Sequence, residues 1–302
     1  MTTRTSPAAA IINPTAGPRP RVGEVRGRAE RARSAFDRAN VTGEVVYTTH
    51  AGHGRELAAE FVKRGFSPII AWGGDGTVNE IASAVAFQDA ALGIVPAGSG
   101  NGLARELGIS RDADRALSSA LRGHDRSIDV GELDGRLFVN VAGVGLDASV
   151  ASLFNRLPGR GLLRYVRAAI AEVFGYTAES YTISADGQTR QQRALIVALA
   201  NGRQYGNGAL IAPCATLDDG LLDLVVVGPL GPLRMLWGVG RLFTGTINRA
   251  PEVEIRTARH VTISAARPIR FHVDGEPVQG AESLTAAVHP GALRIRVPGL
   301  VT

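Results

Sequence analysis

The stretch from Ile69 to Glu80, Ile-Ile-Ala-Trp-Gly-Gly-Asp-Gly-Thr-Val-Asn-Glu, constrains this chain more than any other. An apolar run ends in glycines, one carboxylate sits between the second and third of them, and helix-like spacing follows through Ile81, Ala82 and Val85. That order reads as strand, turn, helix. Glycine lets the backbone take φ > 0 and bring its N–H groups close to a ligand. Amides at the start of a helix attract anions, phosphate being the commonest. Asp75 is the exception in such a loop. Two unit charges about 4 Å apart at an effective dielectric of about 20 repel by about 4 kcal/mol, so a carboxylate facing a phosphate needs a cation or a proton between them. Magnesium held by carboxylates and phosphate oxygens supplies that need. A plainer reading exists: Thr77 to Glu80 fits the capping-box pattern, and Asp before Gly is ordinary turn chemistry. Capping accounts for Thr77 and Glu80, but not for three glycines around an acid.

Other strand ends carry similar loops. Ala8 to Ile12 reads as a first strand running into Asn13-Pro14-Thr15-Ala16-Gly17, and a polar helix follows to about Ala39. Val45 to Tyr47 is a second strand ending in Thr48-Thr49, with a helix from about Arg55 to Arg64. Leu92 to Pro96 is a fourth strand and ends in Ala97-Gly98-Ser99-Gly100-Asn101-Gly102, ahead of helices near Leu103 to Leu107 and Asp112 to Leu121. Strands alternating with helices argue for a parallel sheet with ligands beyond the carboxyl ends of the strands. The convergence of three loops outweighs any one of them.

From about Ser127 the period changes. Asp134-Gly135, Asp186-Gly187 and Asp274-Gly275 are hairpin signals, and Val225 to Val227, Val253 to Ile255, Val261 to Ile263, Ile269 to Val273 and Leu293 to Val297 are strand-like. This half is mainly antiparallel β, interrupted by helices near Leu162 to Phe174 and Leu233 to Phe243. The expected division is an α/β nucleotide-binding domain over residues 1–126 and a β domain over 127–302. Pro213 to Gly220 offers the paired acids Asp218 and Asp219, either oxygen ligands for Mg²⁺ or a turn that needs Asp-Asp-Gly. Spacing alone makes Asp274-Gly275-Glu276 a hairpin turn with a solvated Glu276 and gives His272 no role. Arg160, Arg164 and Arg167 read as a solvated helix face.

Composition narrows the classes. A chain of 302 residues, 45% apolar and 20% charged, is folded and globular. Its formal charge of +5 suits an anionic partner. Lys63, the only lysine, lies in none of the glycine loops, which excludes a conventional P-loop. The single Cys214 rules out an internal disulfide, fits a reducing cytosol, and reads as a small buried hydrophobe. No apolar run approaches the roughly 18 residues of a membrane span, so any membrane contact is expected to be peripheral.

In order along the chain, Asn13 to Gly17, Gly73 to Glu80, Gly98-Ser99-Gly100-Asn101, Gly143-Val144-Gly145-Leu146-Asp147, Pro213 to Leu222 and Val273 to Glu276 resemble the motifs of the diacylglycerol kinase catalytic-domain family of lipid kinases, which includes bacterial diacylglycerol kinases and sphingosine kinases. The resemblance covers essentially the whole chain. It implies an ATP- and Mg²⁺-dependent lipid kinase, cytoplasmic and peripheral at the membrane, with a C-terminal β-sandwich domain and an active site in the interdomain cleft. Nucleotide contacts would fall on Asn13, Pro14, Thr15, Ala16 and Gly17, on Thr48, on Gly74, Asp75, Gly76, Thr77, Val78, Asn79 and Glu80, and on Ser99. Magnesium would be held by Asp219 with backbone oxygens near Thr216 and Leu221. Glu276 would be the base that takes the lipid hydroxyl's proton, and Asp75 would organise phosphates and metal.

The resemblance implies a membrane lipid acceptor, diacylglycerol first, with no nucleic-acid partner and with a homodimer allowed. In one place the chain departs from the family: many bacterial members carry Asp where this chain has Gly102, so a sphingosine- or ceramide-type acceptor stays open. An NAD kinase, whose sites also use Gly-Gly-Asp-Gly, and a non-catalytic nucleotide-binding regulator are further alternatives. The Asp-Gly-Glu turn weighs against the first, and the retention of Asp75, Asp219 and Glu276 against the second.

Overall fold

The computed structural model describes residues 6–17, 22–149, 152 and 176–299. Its contacts divide the chain into two units, Met1–Ile128 with Gly291–Thr302, and Asp129–Pro290. The helix expected near Leu162 to Phe174, with Arg160, Arg164 and Arg167, lies outside the described residues.

In the first unit, strands β1 (Ala8–Ile12), β2 (Gly43–Tyr47), β3 (Ile69–Gly73) and β4 (Ala91–Pro96) are parallel, in the order β2–β1–β3–β4. Register places Ile11 beside both Val46 and Ala71. Strands β1 and β3 are buried along their whole length and read as unbroken apolar runs, because a parallel sheet carries helices on both faces. Those helices are α1 (Val22–Ala39), α2 (His53–Lys63), α3 (Asp75–Val85), the short α4 (Gly102–Glu106) and α5 (Ala113–Arg122), the last capped by the Asp112 side chain on the Arg115 amide. All four strand ends therefore deliver their loops to one edge of the sheet.

The second unit is antiparallel. One sheet runs β14 (Val253–Ala258), β13 (Leu222–Val227), β10 (Ile196–Ala200), β7 (Val141–Gly145), β16 (Arg270–Val273), β17 (Glu276–Gln279). The other includes β15 (His260–Ser264), β8 (Glu179–Ala185) and β9 (Gln188–Ala194), with the first part of β18 (Ser283–Val297) beside β15. Val144, Val197, Leu224 and Phe271 of the first sheet share one core with Tyr181, Ile183, Ile263 and Leu284 of the second, the arrangement of a sandwich. A separate small pair, β11 (Gln204–Gly206) and β12 (Ala209–Leu210), leads into Ile211, Ala212 and Ala215, which with Leu242 of α6 (Pro232–Thr244), the helix expected near Leu233 to Phe243, cover the outer face of β10 and β13. All three expected Asp-Gly turns are present with both residues at positive φ, joining β5 (His124–Leu133) to β6 (Arg136–Phe138), β8 to β9, and β16 to β17. That is the twist a two-residue hairpin needs. No described helix is long and apolar enough to cross a membrane.

Three expectations are corrected. Residues 127–302 do not form one contiguous body: β18 turns back into the first unit, where Arg294 and Ile295 lie parallel to Ala91 and Leu92 and cover the edge of β4. An open parallel edge would leave backbone groups unpaired, yet the alternation of Leu293, Ile295 and Val297 carries no mark of which sheet it serves. Cys214 is exposed, because its loop turns Ala212, Ala215 and Leu217 inward instead. Thr77 and Glu80 do not form a capping box: α3 already begins at Asp75, with Gly74 as an extended N-cap and no side-chain cap.

Strand β4 and helix α5 approach closely at Gly93, where an added Cβ would stand 2.7 Å from the Ala120 Cβ and 3.2 Å from Ile70. Gly93→Ala is expected to cost about 1–3 kcal/mol by overpacking, read from urea unfolding; an unchanged midpoint would show that α5 moves off the sheet freely.

Candidate functional site

The site residues of the first unit lie on its loop edge. Gly74 and Gly98 meet main chain to main chain: a Cβ built on Gly98 would lie 2.6 Å from the Gly74 Cα. The Asp75 carboxylate spans that contact, one oxygen accepting the Asn101 amide at 2.8 Å and the other the Gly102 amide at 2.6 Å. Asn101, in the left-handed region, folds its side chain back to accept from the Gly98 amide and donate to the Gly98 carbonyl. The second glycine loop is thus built in advance, and Asp75 braces it against the start of α3. The helix leaves the amides of Asp75, Gly76 and Thr77 without an acceptor four residues back, an anion-attracting end.

The neighbouring loops are tied to the same helix. Asn13 donates through Nδ2 to Thr77 Oγ1 at 2.9 Å, and its Oδ1 accepts from both the amide and the hydroxyl of Thr15. Glu80 accepts the amides of Gly52 and Gly54, fixing the turn that follows Thr48. Thr15, Gly76 and Ser99 are exposed, Pro14, Gly17, Gly74 and Asp75 are half-buried, and Ala16, Thr48, Thr77, Val78 and Asn79 are buried. An anion at this edge therefore meets main chain and small exposed side chains. Arg28 donates to the carbonyls of Asn13 and Ala16, and its partial burial holds its pKa below the usual arginine value against the raising effect of Glu24. Sequence reading missed Arg28, which looks like any other charge on a polar helix.

In the second unit the acidic loop hangs from buried groups. Asp129 accepts the Gly220 amide at 2.6 Å and its own amide donates to the Leu217 carbonyl, while Asn201 donates to the carbonyls of Asp129 and Val139. Asp219 and Thr216 are exposed, Leu221 is half-buried, and Asp219 Oδ1 accepts the Leu221 amide. Asp223, buried on β13, has its pKa pushed up to about 6 by burial and by the negative charge of Asp219. A carboxylate with backbone carbonyls is an all-oxygen donor set, and the repulsion felt at Asp223 is the kind a cation relieves; both fit Mg²⁺.

The Asp-Gly-Glu turn is held from behind. The Asp274 carboxylate accepts the amides of Val139, Asn140 and Val141 at 2.9, 2.9 and 3.0 Å, which leaves Glu276 exposed at the head of β17. Beneath the turn, His272 Nδ1 accepts the Gly275 amide, so the neutral ring carries its proton on Nε2 and donates to Asp147 Oδ2 at 3.2 Å. Tyr205 donates to the same oxygen at 3.1 Å. The His272 and Asp147 side chains are only 4% and 9% exposed. Gly143 makes the room: a Cβ there would collide with Asp147 Oδ2 at 2.1 Å. The sequence offered His272 only as one residue of an alternating strand, and the pair was not legible from it. Asp147 keeps the Tyr205 hydroxyl and the Ala148 amide but loses one donor, so His272→Phe is expected to cost about 1.5–3 kcal/mol in denaturant unfolding; a cost within experimental error would show that Asp147 is satisfied without the histidine.

A model of the diacylglycerol kinase catalytic domain matches residues 7–133, and one of the YegS C-terminal NAD kinase beta sandwich-like domain matches residues 140–297. A protein of Pseudomonas savastanoi pv. phaseolicola named "Probable lipid kinase YegS-like" is 33% identical over 272 residues, 84% of each chain. One of the same name from Chromohalobacter salexigens is 32% identical over 300 residues, 95% of this chain and 92% of that one. The fold is shared with solved Bacillus anthracis str. Sterne chains: one superposes with a TM-score of 0.83 at 22% identity, over 100% of this chain and 98% of its own. Another, a diacylglycerol kinase by its description, gives 0.75 at 20% identity over 98% of each. Two family models that between them span both units, and relatives matched over most of their length, place the chain in the diacylglycerol kinase catalytic-domain family of lipid kinases.

Proposed function

We propose that the chain transfers the γ-phosphoryl group of ATP to a hydroxyl of diacylglycerol, giving phosphatidate and ADP, with Mg²⁺ as the divalent cation. The observation that carries this is the Asp75 brace, which presents two glycine loops and the first-turn amides of α3 on one edge as a ready anion cradle. The names of the matching family model and of the solved neighbour support diacylglycerol as the acceptor.

Because the phosphoryl transition state is loose, catalysis is chiefly alignment and charge neutralisation. Main chain at Gly74 to Thr77 and the loop carrying Ser99 hold the phosphates, with Asn13 to Gly17 and Thr48 completing the nucleotide contacts. Asp219 and the backbone carbonyls near Thr216 and Leu221 would hold the cation, which would offset phosphate charge. Glu276, exposed on a turn that Asp274 and His272 keep rigid, accepts the lipid hydroxyl's proton as its oxygen bonds to the γ-phosphorus and the bond to the β–γ bridging oxygen breaks. Asp75 acts by positioning: in this structure its oxygens hold amides.

The test is phosphorylation of a panel of diacylglycerol, sphingosine, ceramide and NAD with labelled ATP and Mg²⁺. Label is expected in diacylglycerol, and incorporation into NAD alone would overturn the reading. Glu276→Gln is expected to lower kcat by at least about 100-fold with the unfolding midpoint intact; near-normal turnover would remove Glu276 as base. Asp75→Asn leaves one of two amides facing an NH₂ group, and kcat/KM for ATP is expected to fall about 100-fold, the effect of losing roughly 3 kcal/mol of hydrogen bonding to charge. Unchanged ATP use would sink the brace.

A further inference from the structure

Of the three large apolar side chains exposed among the described residues, two share one helix: Trp237, 69% exposed, and Phe243, 42% exposed, both on α6. The opposite side of that helix is anchored, Met235 being buried with Leu146, Ala178 and Leu195, and Leu242 packing on the cluster under β10 and β13. Among the described residues, this outward indole has a stacking partner in Arg241 and no place in a hydrophobic cluster. Nor do the glycines flanking it pack closely, since a Cβ at Gly238 or Gly240 would meet nothing within 4 Å.

Along the helix itself and the turn after it the charge is one-sided. Between Asp223 and Glu252 the chain carries Arg234, Arg241 and Arg249 and no acidic residue. The Arg241 guanidinium lies 4.3 Å from the centre of the Trp237 ring and also donates to the Thr246 carbonyl. Arg234 pairs with Glu252 at 2.7 Å at the helix start, and Arg249 is exposed just past its end. An indole with arginine beside it, on a helix polar at its rim and apolar at its centre, suits the boundary between headgroups and acyl chains, and the basic balance selects an anionic leaflet.

We propose that α6 docks the enzyme on an anionic bilayer, with Trp237 and Phe243 entering the interface and Arg241 and Arg249 meeting lipid headgroup charge. This rests on the reading that the acceptor is a membrane lipid, but binding can be scored with no ATP present. The chain has two tryptophans, and Trp72 is only 3% exposed inside the first unit, so a change in emission on adding vesicles reports Trp237.

With the full chain and phosphatidylcholine vesicles containing phosphatidylglycerol, a blue shift, quenching by brominated acyl chains and co-sedimentation are expected, all weaker at high salt and absent with phosphatidylcholine alone. The double variant Trp237→Ala, Phe243→Ala is expected to lose about tenfold in vesicle affinity, while its turnover of a short-chain diacylglycerol dispersed below micelle formation stays at the wild-type level. The proposal is overturned if the wild-type chain ignores the vesicles, if the double variant sediments with them as well as wild type does, or if the substitutions instead convert a dimer to a monomer, which would assign the face to a second copy. Failure of the kinase reading would appear separately, as absence of short-chain turnover in the wild-type protein.

Discussion

One carboxylate and two amides hold the loop edge of the first unit together. Asp75 closes the gap between the turn after β3 and the turn after β4, and neither turn can shift without costing a half-buried carboxylate a charge-assisted hydrogen bond. The edge is therefore stiff before any ligand arrives. Stiffness matters for chemistry whose barrier is lowered mainly by holding charged groups in place, because a donor that must first be organised contributes less when charge develops.

The same device recurs through the second unit. Asp274 collects three successive amides from the β6–β7 connection, Asp129 holds the acidic loop at Gly220, and Asp186 takes the amides of Arg259 and His260, bonds that keep its pKa below the usual carboxylate range. Charge-assisted bonds of this kind are among the strongest a loop can use. They sort the acids of the chain by role. Asp75, Asp129 and Asp274 spend their oxygens on distant main chain, whereas Asp219, which takes only the nearby Leu221 amide, and Glu276 stand exposed on the loops so braced.

Close approach of main chain supplies the complementary half of the design. Gly74 against Gly98, Gly93 against Ala120 and Gly143 against Asp147 are glycine because a neighbour occupies the place of a Cβ. In the first case the result is two anion-attracting loops in register. In the last it is space for a buried carboxylate that steadies the turn ahead of Glu276 through His272.

The sequence by itself determined what is local. Apolar runs gave β1, β3 and β4 their places, the Asp-Gly pairs set three hairpins, and the order of motifs disclosed the family, because periodicity and turn chemistry act over a few residues. Tertiary structure decided what depends on a distant partner: that Asp75 holds amides 26 and 27 residues away, that Glu80 serves another helix's turn and not its own, that β18 returns to close the first sheet, and that His272 meets Asp147. It also decided exposure, bringing Cys214 and Trp237 to the surface against their ordinary preference for burial. A side chain's neighbours across the fold leave no trace in the few residues beside it, so only the packed molecule could show them.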